Sequence, residues 1–227
     1  MVAADSVRPT EAIEDYAKAI YALGRRGDGT VSTNALADRL GVTPASVSAM
    51  VKKLADRGLA EHVPYRGVAL TAEGRRVALE VLRHHRLLEL YLAEHLGVPW
   101  DRVHEEAEAL EHVLSEYLEE RIAAKLGDPT HDPHGDPIPD VGLNIDEGET
   151  RALSALEPGA RGCFTRVSDA DPEMLRYLDR RGVRLGDELE VVDRQPFDGP
   201  LTVRVGDELH TLGGRLAEAM RVELRAA

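Results

Sequence analysis

Disulfide chemistry is closed to this chain: its 227 residues hold one cysteine, Cys163, so no internal bridge can form. No apolar run approaches the ~20 residues that a membrane span needs. The opening stretch, MVAADSVRPTEAIEDY, lacks the basic-then-apolar pattern of a secretion signal. The expectation from these absences is a cytoplasmic protein with no membrane partner. Aromatics make up only 4% of the chain, so its cores must be aliphatic. Net positive charge is lacking as well: 41 acidic against 28 basic residues give −13, which excludes a protein that coats nucleic acid indiscriminately.

The charge is uneven, however. Between Ser32 and Arg76 the bases Arg39, Lys52, Lys53, Arg57, Arg66, Arg75 and Arg76 outnumber the acids Asp38, Asp56, Glu61 and Glu73. From Val77 to Thr150 the chain is strongly acidic and carries His84, His85, His95, His104, His112, His131 and His134. A basic module followed by an acidic, histidine-rich one implies two different ligands.

EAIEDYAKAIYAL predicts a first helix after Thr10, with Ile13, Ala17, Ile20 and Tyr21 on its apolar face. STNALADRL, the break GVTP and ASVSAMVKKLADRG then predict two further helices. LAEHVPYRGVALT predicts two short strands about a turn at Tyr65-Arg66-Gly67. This is the layout of a winged helix-turn-helix, in which the second helix enters the DNA major groove. Val42 is expected to fill the turn, and Val47, Val51 and Leu54 to face the core. Thr43, Pro44, Ala45, Ser46, Ser48 and Ala49 are left for close approach to base edges, and Lys52, Lys53 and Arg66 for phosphates. A helical hairpin used only for packing would share the pattern, but not the following hairpin or the local positive charge.

AEGRRVALEVLRHHRLLELYLAEHL predicts one long helix, and the region from about Asp101 to Lys125 another. In the latter, Glu108, Glu111 and His112 stand at i, i+3 and i+4, which on a continuous helix puts two carboxylates and an imidazole on one face. Such a face can bind a divalent metal or be a solvated stripe. Asp15 on the first helix, the i, i+4 pairs His85/Glu89 and His104/Glu108, and His84 supply further donors. GDPTHDPHGDPIPD, from Gly127 to Asp140, cannot be helical and closes the helical region. RGCFTRV, DELEVVD, LTVRV and AMRVEL then read as strands of a small barrel, with PEMLRYLDRRG as a lone helix.

EDYAKAIYAL, the helix-turn-helix, YRGVALTAEGR, RHHRLLELYL, VHEEAEALEHVLSE and DPHGDPIP together resemble the DtxR/MntR family of metal-dependent transcriptional repressors. PGARGCFTRV, GVRLGDELEVVD and HTLGGRLAEAMRVEL resemble the SH3-like, FeoA-like domain of its longer members. The resemblance implies a mainly α chain with a small β-barrel: a winged helix-turn-helix (1–76), a helical metal-binding and dimerisation domain (77–146) and an SH3-like domain (147–227). It implies a primary metal site of Asp15, Glu108, Glu111 and His112, and a second site of His85, Glu89 and His104, completed from the barrel by Asp171 and Glu173. The iron-sensing branch typically has Met and Cys at the positions of Asp15 and Glu108. Hard oxygen donors there favour Mn(II), although Fe(II) accepts the same ligands. Lys18 stands where the compact manganese branch has a second acid, which argues against a closely spaced metal pair of that kind.

The implied function is a homodimeric, Mn(II)-dependent repressor that binds a palindromic operator in double-stranded DNA and controls metal-uptake genes. The apolar faces of Val77–Leu96 and Val103–Ile122 would form the dimer interface. An iron-dependent repressor of the same family is the near rival, and a regulator with a degenerate metal site another. A metal-dependent hydrolase is the distant one, since it leaves the helix-turn-helix unexplained. His84, His95, His131 and His134 are expected on surfaces or loops, and Cys163 buried in a strand.

Overall fold

A computed structural model describes residues 9–25, 29–63, 66–197 and 199–225. They form two compact units. One comprises the residues up to 85 with 111–114 and 139–144; the other comprises 86–110, 115–138 and 145 onward.

The first unit opens with α1 (Glu11–Gly24), α2 (Thr33–Leu40) and α3 (Pro44–Asp56), followed by the hairpin β1 (Ala60–Val63) and β2 (Gly67–Leu70). Ser32 caps α2 by accepting from Ala35 N, and Thr43 caps α3 by accepting from Ser46 N, with Pro44 at the first helical position. Ile13, Ile20, Leu36, Val47, Leu54 and Val68 meet in one aliphatic core. Burying each contributes on the order of 1.5–3 kcal/mol. The hairpin pairs Ala60 with Leu70 and Val63 with Gly67. Gly67 (φ +117°) is required there: a Cβ would lie 2.0 Å from Val31 O, on the strand bridge that joins Val31 to Val68. Val42 does not fill the turn as expected but is 39% exposed, and Val51 is half-buried. The residue Tyr65 of the expected wing turn lies outside the described residues.

α4 (Ala72–Leu96) is the predicted long helix, and its residues up to His85 belong to this unit. A 3-10 turn, Glu111–Val113, and the segment 139–144 complete it. Arg83 anchors that segment by donating to Pro139 O (2.6 Å).

In the second unit α5 (Val103–Leu110) and α6 (Glu116–Leu126) are separate helices. The continuous helix expected from Asp101 to Lys125 is therefore broken. After the 3-10 turn, Ser115 restarts the chain as a helix cap, its Oγ accepting from Leu118 N (3.3 Å). Beyond the proline-rich loop come β3 (Thr150–Ala152), β4 (Arg161–Val167), α7 (Pro172–Arg180), β5 (Glu188–Arg194), β6 (Leu201–Val205), β7 (Glu208–Leu212), α8 (Gly214–Ala219) and β8 (Met220–Leu224). The strands form an antiparallel sheet in the order β3-β8-β4-β5-β6-β7. Irregularities between Phe164 and Arg166 and between Val191 and Asp193 interrupt its register, and bulges of this kind bend a sheet. Phe164, Leu175, Leu178, Val191, Val203 and Met220 lie in its core. Cys163, expected buried, is half-buried.

Candidate metal centres and nucleic-acid interface

In the first unit Asp15, Glu111 and His112 offer ligand atoms within 4.8 Å of one another. α1 supplies Asp15, because a residue beside the buried Ile13 and Ala17 falls at the edge of the apolar face. The 3-10 turn supplies the other two. Glu111 is fully buried and His112 half-buried. His112 Nε2 stands 3.0 Å from Asp15 Oδ1 and 3.4 Å from Glu111 Oε1, while its Nδ1 lies 2.6 Å from Glu14 Oε2.

A buried carboxylate needs compensation. Lys18 Nζ donates to Glu111 Oε1 (2.5 Å), and His85 Nδ1 lies 2.5 Å from Oε2. Burial works to raise the Glu111 pKa, but the His85 hydrogen bond and the Lys18 charge outweigh it and hold the group below the ordinary value. Burial works to lower the His112 pKa, but the Glu14 hydrogen bond and the charges of Glu111 and Asp15 raise it. The resulting donor set is two carboxylate oxygens and one imidazole nitrogen, without sulfur. That fits hard to borderline divalent metals such as Mn(II) or Fe(II).

The second unit gathers Glu89 from α4, His104 from α5 and Asp169 from the segment after β4. His104 Nδ1 lies 2.8 Å from Asp169 Oδ2 and 3.3 Å from Glu89 Oε1. Burial alone would lower the His104 pKa, yet the two carboxylates raise it to about 10. Glu108, expected in the primary set, belongs to this unit. It is 43% exposed, and its Oε1 is 3.8 Å from His104 Nε2.

The barrel carboxylate that meets His104 is Asp169. Asp171, named for that role, instead caps α7, accepting from Glu173 N (3.1 Å), and Glu173 pairs with Arg176 (2.6 Å). His85, named for the second set, stands one turn before Glu89 on α4, and its Nδ1 also lies 2.5 Å from Glu111 Oε2.

Glu89 also faces Asp132 and His134, the three offering ligand atoms within 4.8 Å of one another and all buried. His84 is 5% exposed, and His134, expected on a surface or in a loop, lies in the loop but is completely buried. Its Nε2 lies 2.7 Å from Trp100 O, while Nδ1 points toward Glu89 (3.8 Å) without a hydrogen bond. Burial and the charges of Glu89 and Asp136 push the Asp132 pKa well above the ordinary carboxylate range. The loop carrying both residues is fixed by Arg86, which donates to Pro137 O and pairs with Asp136 (3.2 Å). It is fixed also by Val167 N donating to His134 O (2.9 Å). Asp132, His134 and Asp169 are the residues the sequence reading missed.

On α3, Thr43, Pro44, Ala45, Ser46, Ser48, Ala49, Lys52 and Lys53 are exposed, as is Arg66 at the wing. Two of the hydroxyls already serve the helix: Thr43 caps it, and Ser48 Oγ donates to Pro44 O (2.9 Å). The face open to a groove is small-sided with lysines behind it.

Among the described residues no helix is long and apolar enough to cross a membrane. The family model described as iron dependent repressor, N-terminal DNA binding domain, matches residues 9–68. The model for the metal binding and dimerisation domain of the same repressors matches 71–140, and the FeoA domain model matches 151–224. The chain is 32% identical to a diphtheria toxin repressor of Corynebacterium efficiens, over 92% of this chain and 94% of that one. It is 33% identical to the iron-dependent repressor IdeR of Mycobacterium leprae, over 92% and 96%. Among solved structures, a manganese-dependent transcriptional repressor in complex with manganese is 42% identical at a TM-score of 0.89, covering 94% of this chain and all of that one. The manganese regulator SloR is 32% identical at 0.80, covering 96% of this chain and all of that one.

Proposed function

Because the chain belongs to the iron-dependent repressor, or DtxR/MntR, family of metal-dependent transcriptional repressors, we propose that Mn(II) is its corepressor. The observation that carries this reading is the sulfur-free convergence of Asp15, Glu111 and His112. Oxygen and nitrogen donors suit Mn(II), whose affinity for most sites is otherwise the weakest of the first-row divalent series. The 42% identity to a manganese-dependent repressor supports the same choice. Fe(II) is the second reading, favoured by the iron-dependent relatives.

The bound metal would supply a positive charge that Glu111, Asp15 and His112 share. The Glu14–His112, Asp15–His112 and Lys18–Glu111 contacts already tie α1 to the 3-10 turn, and the metal would strengthen that tie. α1 packs in one core with α2 and α3, so fixing α1 fixes the recognition helix. The 3-10 turn lies, in sequence, within the metal-binding and dimerisation domain. A DNA-binding chain restrained in this way presents α3 in one orientation, and a dimer of such chains fits two half-sites of a palindromic operator. Metal and DNA binding are thereby thermodynamically coupled. Glu89, His104 and Asp169, with Asp132 and His134 behind them, would hold a second cation in the other unit. The regulated genes would be those of metal uptake.

The test is binding to the promoter of a candidate uptake gene, titrated separately with Mn(II) and with anaerobic Fe(II). Tighter binding with Mn(II) is expected. No response to either metal defeats the corepressor reading, and an equal response to both defeats the manganese assignment.

A further inference from the structure

We propose that Glu14 is a positioning residue for the metal: it holds the His112 ring so that Nε2, and not Nδ1, is the ligand nitrogen. This inference rests on the metal site proposed above. Neighbouring residues on α1 address the two nitrogens of one imidazole. Glu14 Oε2 lies 2.6 Å from Nδ1, and Asp15 Oδ1 lies 3.0 Å from Nε2. Only Asp15, with Glu111 and His112 itself, belongs to the group whose ligand atoms converge; Glu14 stands outside it.

A neutral imidazole carries one proton, and the nitrogen that donates it cannot bind a metal. A carboxylate accepts only, so the short contact to Glu14 places the proton on Nδ1 and frees the lone pair of Nε2 toward Asp15 and Glu111. Carboxylate–histidine pairs of this kind fix the tautomer and raise the basicity of the ligating nitrogen. Lys18 and His85 are directed at Glu111, and Glu14 is the carboxylate that meets Nδ1. Glu14 and His112 both line a cavity of about 50 Å³, with Val77, Glu80, Val81 and His84 among its other walls. That is room for a water. If the carboxylate is removed, a water can take its place as a weaker and less directional acceptor.

The experiment uses the full-length protein as wild type, Glu14→Ala, Glu14→Gln and His112→Ala. Mn(II) affinity is read from the free-ion EPR signal, and imidazole ligation from ¹⁴N modulation in pulsed EPR. His112→Ala identifies the part of the modulation that His112 contributes. Glu14→Ala is expected to weaken Mn(II) binding by roughly 10- to 100-fold and to diminish that part of the signal. Glu14→Gln keeps an oxygen that accepts the Nδ1 proton, so it should recover most of the affinity and the wild-type modulation. If Glu14→Ala binds within about twofold of wild type with unchanged modulation, the positioning role is overturned while the metal site stands. If Gln is as weak as Ala, the effect is one of charge and the tautomer argument is overturned. If wild type and His112→Ala give the same modulation, His112 is not a ligand, and the metal reading fails together with this one.

Discussion

Lys18 Nζ stands 2.5 Å from Glu111 Oε1, where it offsets the charge of a carboxylate that has no exposure to solvent. The lysine comes one helical turn after Asp15, so α1 brings both a proposed ligand and a counter-charge to the same carboxylate. Replacing Lys18 with Met removes the lysine charge from Glu111 and leaves it facing the imidazoles of His85 and His112. We expect the metal-free protein to lose on the order of 3 kcal/mol, as when one partner of a buried pair is removed. Thermal melts in chelator measure the loss. Added Mn(II) should restore part of it, because a cation again meets Glu111; equal losses with and without metal would contradict the pairing.

The raised pKa of His104 sets a pH window for the metal-free protein. Burial opposes its charge, but Asp169 and Glu89 lift the folded-state value from 6.5 to about 10. A folded pKa above the unfolded one gives stability that is complete below pH 6.5 and lost as pH rises toward 10. His104→Asn should therefore melt below wild type at pH 6 in chelator, and the gap should close by about pH 10. A gap that widened with pH would contradict the ion pairing.

Gly135 lets the buried loop pack closely against β4. Its φ is +81°, and a Cβ would lie 1.9 Å from Thr165 O. Gly135→Ala combines about 1–2 kcal/mol of left-handed strain with that clash, so the loop must leave β4 and take Asp132 and His134 with it. Calorimetric titration should lose one Mn(II) per chain while the site at Asp15, Glu111 and His112 still fills.

Arg66 is exposed at the wing, where a phosphate contact is expected. Arg66→Ala should weaken binding to operator and to unrelated DNA alike, and lower the slope of log K against log salt by about 1. Anisotropy titrations at several salt concentrations measure both. A loss confined to the operator would assign Arg66 to base contact instead.

The helix-turn-helix, the wing and α4 were legible because periodicity, caps and glycine breaks all agree there: Ser32, Thr43 and Pro44 mark helix starts in sequence as they do in space. Four barrel strands and α7 were legible from alternating apolar residues, whereas β3, at three residues, is too short to carry a pattern. The break after Glu111–Val113 was not seen, since no proline or glycine marks it. The signal was Ser115 followed by the acids Glu116 and Glu119, a helix start inside an apparently continuous one. Asp171, named as a ligand, caps α7, as the helix-start signature of Asp before Pro already indicates. The proline- and glycine-rich segment makes the loop position of His134 legible, but not its burial. Its burial depends on Arg86 and β4, partners distant in sequence.

The central claim is that a metal held jointly by α1 and the 3-10 turn switches DNA binding, and Asp15→Ala tests it most directly. The measurement is operator affinity by fluorescence anisotropy, with and without saturating Mn(II). Wild type should tighten within the roughly 5- to 150-fold range of allosteric couplings. Asp15→Ala should keep the metal-free affinity and lose the response. An Asp15→Ala protein that tightens on Mn(II) as wild type does would contradict the account.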